Sequence, residues 1–167
     1  GDTWGDLDNL FRAGGETWIT GSYDPELKLT YWGTAQQKPW VPVSRHLTID
    51  DVGLFTNSTV AVSTDTGELD WFFQHVPAEA LDLDEVFERS LVNRGDEKLV
   101  FALGKYGILW KNYRVSGEFQ AYKETVFQNA FTDIDDETGL VTYREDIQNA
   151  KLNEWTSACP SSAGGKD

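Results

Sequence analysis

The stretch Ala61-Val62-Ser63-Thr64-Asp65-Thr66-Gly67-Glu68-Leu69-Asp70-Trp71 constrains the fold more than any other. It reads as a strand, a tight turn closed by glycine, and a second strand. Asp65 to Gly67 supplies turn chemistry, with the glycine free to take positive φ. Beyond the turn, Leu69 and Trp71 alternate with polar neighbours, the pattern of a half-buried strand. A looser copy runs from Ala102 through Gly104-Lys105-Tyr106-Gly107 to Trp110 and into Arg114-Val115-Ser116-Gly117-Glu118-Phe119. There Ser116-Gly117-Glu118-Phe119 echoes Thr66-Gly67-Glu68-Leu69. A third turn of this kind is Asp136-Glu137-Thr138-Gly139. One Thr-Gly turn fits any β protein. Two with matching flanks, about one propeller-blade length apart, indicate a repeating all-β unit.

The chain has 167 residues, enough for one core or for a few blades of a larger repeat protein. Its formal net charge of −14 argues against nucleic acid, because phosphate binding needs clustered Lys and Arg. Such a charge suits a basic partner or a metal ion, or simply a solvated acidic surface. Cys159 is the only cysteine, so no disulfide closes within the chain. No apolar run is long enough for a membrane span, and no signal peptide is visible. The first residue is not Met, and the chain stops just after a Gly-Gly. The expectation is a piece of a longer protein.

In order, Gly1 to Gly15 reads as loop. Thr17 to Thr20 reads as a strand, Tyr23-Asp24-Pro25-Glu26 as a turn and Leu27 to Gly33 as the returning strand. Thr34 to Asp51 is a long loop, and long loops in compact domains are often functional. Leu54 to Ser63 and Glu68 to His75 are strands. Pro77 to Arg89 breaks the β pattern, with 81–87 a short helix or an acidic loop. Lys98 to Leu103, Ile108 to Tyr113 and Phe119 to Val126 are strands. Phe127 to Ala158 is mixed, and the remainder is a Ser/Gly-rich loop.

Asp82 and Asp84 flank Leu83 between strand regions. On an extended segment, residues two apart share a face. Two converging carboxylates suit a hard cation with oxygen ligands, or one serves as a general base that needs positioning more than tuning. A solvated acidic turn is the plain alternative. Trp18, beside Gly14-Gly15, offers a flat face to a planar ligand or packs in the core. Lys105, in its glycine-flanked turn, suits an anionic ligand or the bare surface. Gln36 and Gln37 carry amide oxygens that can ligate a hard cation or stay solvated. His46 and His75 lack metal-ligand spacing, and no zinc motif, phosphate loop or Ser-His-Asp pattern is present. Asn57-Ser58-Thr59 is formally a glycosylation acceptor.

Taken together, these stretches resemble the pyrroloquinoline quinone-dependent alcohol dehydrogenases, the methanol and ethanol dehydrogenase family. The residues that carry the likeness are Gly14-Gly15 with Trp18, Tyr23-Asp24-Pro25 and Tyr31-Trp32-Gly33-Thr34. It continues through Asp65-Thr66-Gly67 with Trp71, Gln74 and Pro77, then Gly104-Lys105 with Gly107-Ile108-Leu109, and Cys159-Pro160-Ser161 with Gly164-Gly165. Each motif is modest; the ordered set is specific and spans nearly the whole chain. The resemblance implies an eight-bladed β-propeller stabilised by tryptophan-containing repeats. Residues 1–167 would form about two to three blades of that one domain.

By the same resemblance, Trp18 is the floor on which the quinone stacks, and Asp82 is the catalytic base. Asp84 is the extra acidic ligand of lanthanide-using members, and Lys105 is the basic group near the quinone. Asp167 falls near a polar position close to the cofactor. The implied partners are an alcohol substrate, a calcium or lanthanide ion, a cytochrome electron acceptor and the remaining blades, in the periplasm. Two residues depart from the family pattern. Gln36 stands where a metal-binding Asn is usual, and Leu81 where a Trp precedes the catalytic Asp. The family's other metal carboxylate and its cysteine pair would lie upstream. The rival expectations are a noncatalytic propeller that binds a partner, and a stand-alone acidic β domain.

Overall fold

The computed structural model describes residues 2–39, 41–162, 164 and 165. Its first half holds β1 (Ala13–Gly14), β2 (Ser22–Asp24), β3 (Leu29–Gly33), β4 (Gln37–Lys38), β5 (Ser58–Ser63) and β6 (Leu69–Gln74). The second half holds β7 (Arg89–Arg94), β8 (Glu97–Leu103), β9 (Ile108–Tyr113), β10 (Phe119–Glu124), β11 (Phe131–Ile134), β12 (Val141–Tyr143) and the short helix α1 (Glu145–Gln148). Two four-stranded sheets dominate, β2-β3-β5-β6 and β7-β8-β9-β10, each a meander of antiparallel neighbours. The pairs β1–β4 and β11–β12 are also antiparallel. Among the described residues no helix is long and apolar enough to cross a membrane.

The strands form where apolar residues alternate. In β3, Leu29, Tyr31 and Gly33 are buried while Thr30 and Trp32 are half-buried, and β9 buries Ile108, Trp110 and Asn112 in the same period-two fashion. The three Gly turns share one conformation. Gly67, Gly117 and Gly139 take φ of 74°, 75° and 74°. Their amides donate to Ser63, Tyr113 and Asp135, each at 2.8 Å. The first two turns join the third and fourth strands of a sheet. The third joins β11 to β12, so it repeats the local geometry and not the position.

The sheets meet through Trp71. Its indole lies over Gly117, where a Cβ would stand only 2.4 Å from the ring. Its Nε1–H donates to the Arg114 carbonyl at 3.1 Å, and the Tyr31 hydroxyl donates to the same oxygen at 3.1 Å. Leu29, Ala61 and Val100 complete this core. Arg89 crosses from the second sheet to the first, donating to Thr59 Oγ1 at 2.7 Å and the Ser58 carbonyl at 3.0 Å. A second core packs Tyr106, Ile108 and Trp110 against Phe131, Ile134, Tyr143 and Ile147. It fixes the β11–β12 hairpin and α1 to the second sheet.

Several boundaries differ from the sequence expectation. Thr17 to Thr20 is not a strand; the hairpin is built by β2 and β3 instead. The residues just before this segment, Gly15 and Glu16, bond through their backbone to Gln36 and Ala35. Gly1 to Gly15 and Thr34 to Asp51 are not wholly loop, because β1 pairs with β4 and a 3-10 turn spans Pro42–Arg45. Residues 81–87 contain no helix. β7 carries no clear alternation and was invisible in the pattern: only Arg89 is buried in it.

Gly67 and Gly117 provide a matched test. Gly67→Ala meets nothing within 4 Å and incurs only left-handed strain, expected at about 1–2 kcal/mol. Gly117→Ala carries the same strain and also displaces Trp71, so its loss exceeds that of Gly67→Ala by about 1–3 kcal/mol. Urea unfolding of the two variants reads the difference, and equal losses would count against the Trp71 contact.

Candidate functional site

The site is built on the segment between β6 and β7. This backbone has no ladder, yet Ala78, Glu79, Ala80 and the run Leu83 to Val86 are buried. Its polar groups must find other partners. Glu79, fully buried, accepts the Leu81 N–H at 2.7 Å, the Asp82 N–H at 3.1 Å and the Tyr106 hydroxyl at 2.8 Å. Asn57 Nδ2 donates to the Leu83 carbonyl at 3.1 Å, and its Oδ1 accepts the Glu85 N–H at 3.1 Å. The Lys105 N–H donates to the Asp84 carbonyl at 3.0 Å. These bonds hold Asp82 at φ 61°, a left-handed conformation that costs a non-glycine residue about 1–3 kcal/mol.

The strained turn brings four of the expected residues together. Gln36 Nε2 donates to Asp82 Oδ1 at 2.6 Å, and the Gln36 N–H donates to Asp84 Oδ1 at 3.2 Å. Lys105 Nζ donates to Asp84 Oδ2 at 2.7 Å and to the Asp82 carbonyl at 3.1 Å. The Asp84 side chain is only 3% exposed, so this ion pair compensates a nearly buried carboxylate. Gln36 Oε1 is buried and accepts no hydrogen bond from the described residues. Asp82 Oδ2 accepts none from the described residues.

An unpaired buried amide oxygen beside two carboxylates is a donor set that fits a hard cation. Among the described residues no three His, Cys, Asp or Glu side chains converge as a metal cluster. A cation here would therefore rest on mixed amide and carboxylate oxygens.

Trp18 stands apart from this cluster in its bonding. It is 51% exposed, with Lys38 Nζ 5.7 Å from its ring centroid. Its segment is nonetheless tied to Gln36: the Gly15 N–H donates to the Gln36 carbonyl at 3.1 Å, and the Ala35 N–H to the Glu16 carbonyl at 2.9 Å. Asp167, also expected near the cofactor, lies outside the described residues. Gln37 is not a free loop amide; its Oε1 accepts from Arg45 Nη2 at 2.6 Å. Asn57 is fully buried, which rules out the glycosylation reading in this fold. Cys159 is exposed and free.

Sequence reading missed Glu79, Asn57 and Tyr106. For Glu79 a signal existed: it lies within Val76-Pro77-Ala78-Glu79-Ala80-Leu81, an otherwise apolar run that implies burial. Burial pushes its carboxyl up to about 7, outweighing the bonds from Tyr106 and Leu81 that favour ionisation. A raised folded pKa means that the folded state binds the proton more tightly. Its stabilising effect is complete below about 4.5, the ordinary value, and is lost as pH rises to about 7. Relative to Glu79→Gln, the native protein is expected to lose up to ~1.4 kcal/mol per pH unit across that window. Denaturant unfolding between pH 5 and 8 measures it; parallel pH profiles would contradict the assignment.

The fold and the site together define a piece of a quinoprotein β-propeller. Residues 2–118 match the family model described as PQQ: glucose/ethanol/alcohol dehydrogenase, beta-propeller domain, and the chain belongs to that family. The quinohemoprotein alcohol dehydrogenase ADH-IIG of Pseudomonas putida is 33% identical over 165 residues, covering 93% of this chain and 23% of that protein. The lanthanide-dependent methanol dehydrogenase of Methylorubrum extorquens is 28% identical over 178 residues, covering 99% of this chain and 29% of its own length. A solved europium-containing methanol dehydrogenase superposes with a TM-score of 0.86 at 26% identity, covering 99% of this chain and 29% of that one. The chain thus spans about a quarter of the length of these relatives.

Proposed function

We propose that this chain supplies the reacting carboxylate and part of the cofactor site of a pyrroloquinoline quinone-dependent alcohol dehydrogenase. Residues 1–167 would be two to three blades of one propeller domain, completed by the rest of the protein. The observation that carries this reading is the convergence of Gln36, Asp82, Asp84 and Lys105 from three separate loops. When bound, the quinone would supply a hydride acceptor and a calcium or lanthanide ion would supply Lewis acidity.

The chain's own groups do the remaining work. Asp82 is the general base. Its Oδ1 is engaged by Gln36, which leaves Oδ2 to receive the alcohol's hydroxyl proton. The Glu79 bonds to the Leu81 and Asp82 amides hold that carboxylate in place. Gln36 Oε1 and Asp84 are the groups that would hold the cation. Lys105 compensates Asp84 and would offer a donor to the cofactor, and Trp18 would offer it a flat aromatic face; Asp167, outside the described residues, joins this set by resemblance alone. Electrons would leave to a cytochrome, a reading that the quinohemoprotein relatives support, and the compartment would be the periplasm.

A second reading is a noncatalytic propeller serving as a binding module. The Gln36–Asp82 hydrogen bond and the Lys105–Asp84 pair favour it, since they already occupy two oxygens of the site. The deciding experiment is alcohol-dependent dye reduction by the full-length protein with quinone, comparing calcium, a light lanthanide and no metal. Metal-dependent turnover is expected, and Asp82→Asn is expected to lower kcat by about 100-fold or more while quinone binding persists. Quinone neither bound nor reduced under any of these conditions would leave the noncatalytic reading.

A further inference from the structure

The cofactor assigned above is a planar acid, and the chain that receives it carries a formal net charge of −14. Carboxylates on the rim of such a ring call for cations near the Trp18 face. Lys105 is already committed: its Nζ donates to Asp84 Oδ2 at 2.7 Å, and Asp84 is nearly buried. Drawing Lys105 away would strand that carboxylate, which is costly. Arg45 is buried and bonds Gln37 and the Pro39 carbonyl. Lys38 is placed differently. Its Nζ lies 5.7 Å from the Trp18 ring centroid and pairs with Glu16 Oε1 at 2.7 Å. Side-chain exposures of 39% and 46% leave this pair open to solvent. An exposed ion pair contributes about 0–1 kcal/mol, so Lys38 can change partner at little cost. The backbone holds both residues beside Gln36. Lys38 faces Ala13 in the β1–β4 ladder, and the Glu16 carbonyl accepts the Ala35 N–H at 2.9 Å. Gly14 permits this approach, since a Cβ there would stand 2.3 Å from the Gln36 carbonyl oxygen.

We propose that Lys38 recognises a carboxylate of the quinone stacked on Trp18, giving up Glu16 for it. The inference rests on the dehydrogenase reading above and adds a binding residue that neither the motifs nor the resemblance singled out. A ring stacked on the indole brings its rim within reach of the flexible Lys38 stem. There a charge-assisted hydrogen bond to a carboxylate outweighs both the exposed pair with Glu16 and the contact with the indole ring. The step exchanges one ion pair for another and moves no proton. Glu16 competes with the ligand for the same ammonium, and so sets how tightly the acid is held.

The test is calorimetric titration of the quinone-free full-length protein with calcium present. Two probes are compared: pyrroloquinoline quinone, and its methyl ester, in which the carboxylates are capped. Lys38→Met keeps most of the stem and removes the charge. It is expected to raise the Kd of the acid by about tenfold and that of the ester by less than about twofold. Lys38→Arg, which keeps the charge, is expected to stay within about threefold of the native affinity for the acid. Glu16→Gln frees Lys38 and is expected to lower the Kd of the acid by about threefold. An unchanged Kd for the acid in Lys38→Met, or equal weakening of acid and ester, overturns the inference and leaves the dehydrogenase reading standing. A Glu16→Gln variant that binds the acid no tighter overturns the exchange of partners. A native protein that binds neither probe overturns the dehydrogenase reading itself, and the role of Lys38 with it.

Discussion

A backbone that runs through a protein interior without a ladder must satisfy its amides by other means, and the segment before β7 does so with side chains. Glu79 takes two consecutive N–H groups, and Asn57 takes one donor and one acceptor of the same segment. Left unpaired, each such group would cost about 1–3 kcal/mol. The satisfied segment can then carry Asp82 in a left-handed conformation that no sheet would impose. The geometry of the candidate site is thus a by-product of hydrogen-bond accounting. Gln36 and Lys105 only reach their partners because the turn has already been placed.

The two sheets supply the frame. Trp71 and Tyr31 end on one carbonyl, that of Arg114, and Arg89 reaches back to the backbone of β5. Arg114 itself pairs with Asp24 at 2.8 Å, both nearly buried. Burial lowers Arg89 to about 10, although Glu85 beside it favours its charge. Such buried polar links add little net stability over well-packed apolar groups, but losing one partner is costly. Their effect here is to fix how one sheet sits on the next, and with it the distance between the Gln36 loop and the Asp82 turn.

Much of this was legible in the sequence, for stated reasons. Turn glycines and alternating apolar residues mark β5, β6, β8 and β9, because those strands bury one face. Asp82, Asp84, Gln36 and Lys105 stood out by residue type and by resemblance, and the fold brings them together. What was hidden depends on contacts across the chain. Nothing local says that Asn57 faces the buried loop that carries Glu79, since Asn57 reads as an ordinary polar residue and the apolar neighbours of Glu79 signal its burial but not its partners. β7 was hidden because an outer strand with one buried side chain has no period to detect. Thr17 to Thr20 has β-forming residue types but no ladder partner among the described residues, and propensity yields to that tertiary context.

The burial of Glu79 has a kinetic side. The side chain has no exposure to solvent, and the hydroxyl that bonds it, that of Tyr106, is equally enclosed. A proton can reach that carboxylate through the Tyr106 hydroxyl or when the segment opens transiently. Equilibrium and rate are then set by different things: the first by the environment of the closed state, the second by how often the enclosure breaks. After a sudden change of acidity, the surface carboxylates equilibrate at once and this one lags behind. During that interval the molecule holds a memory of its previous medium in a single buried bond.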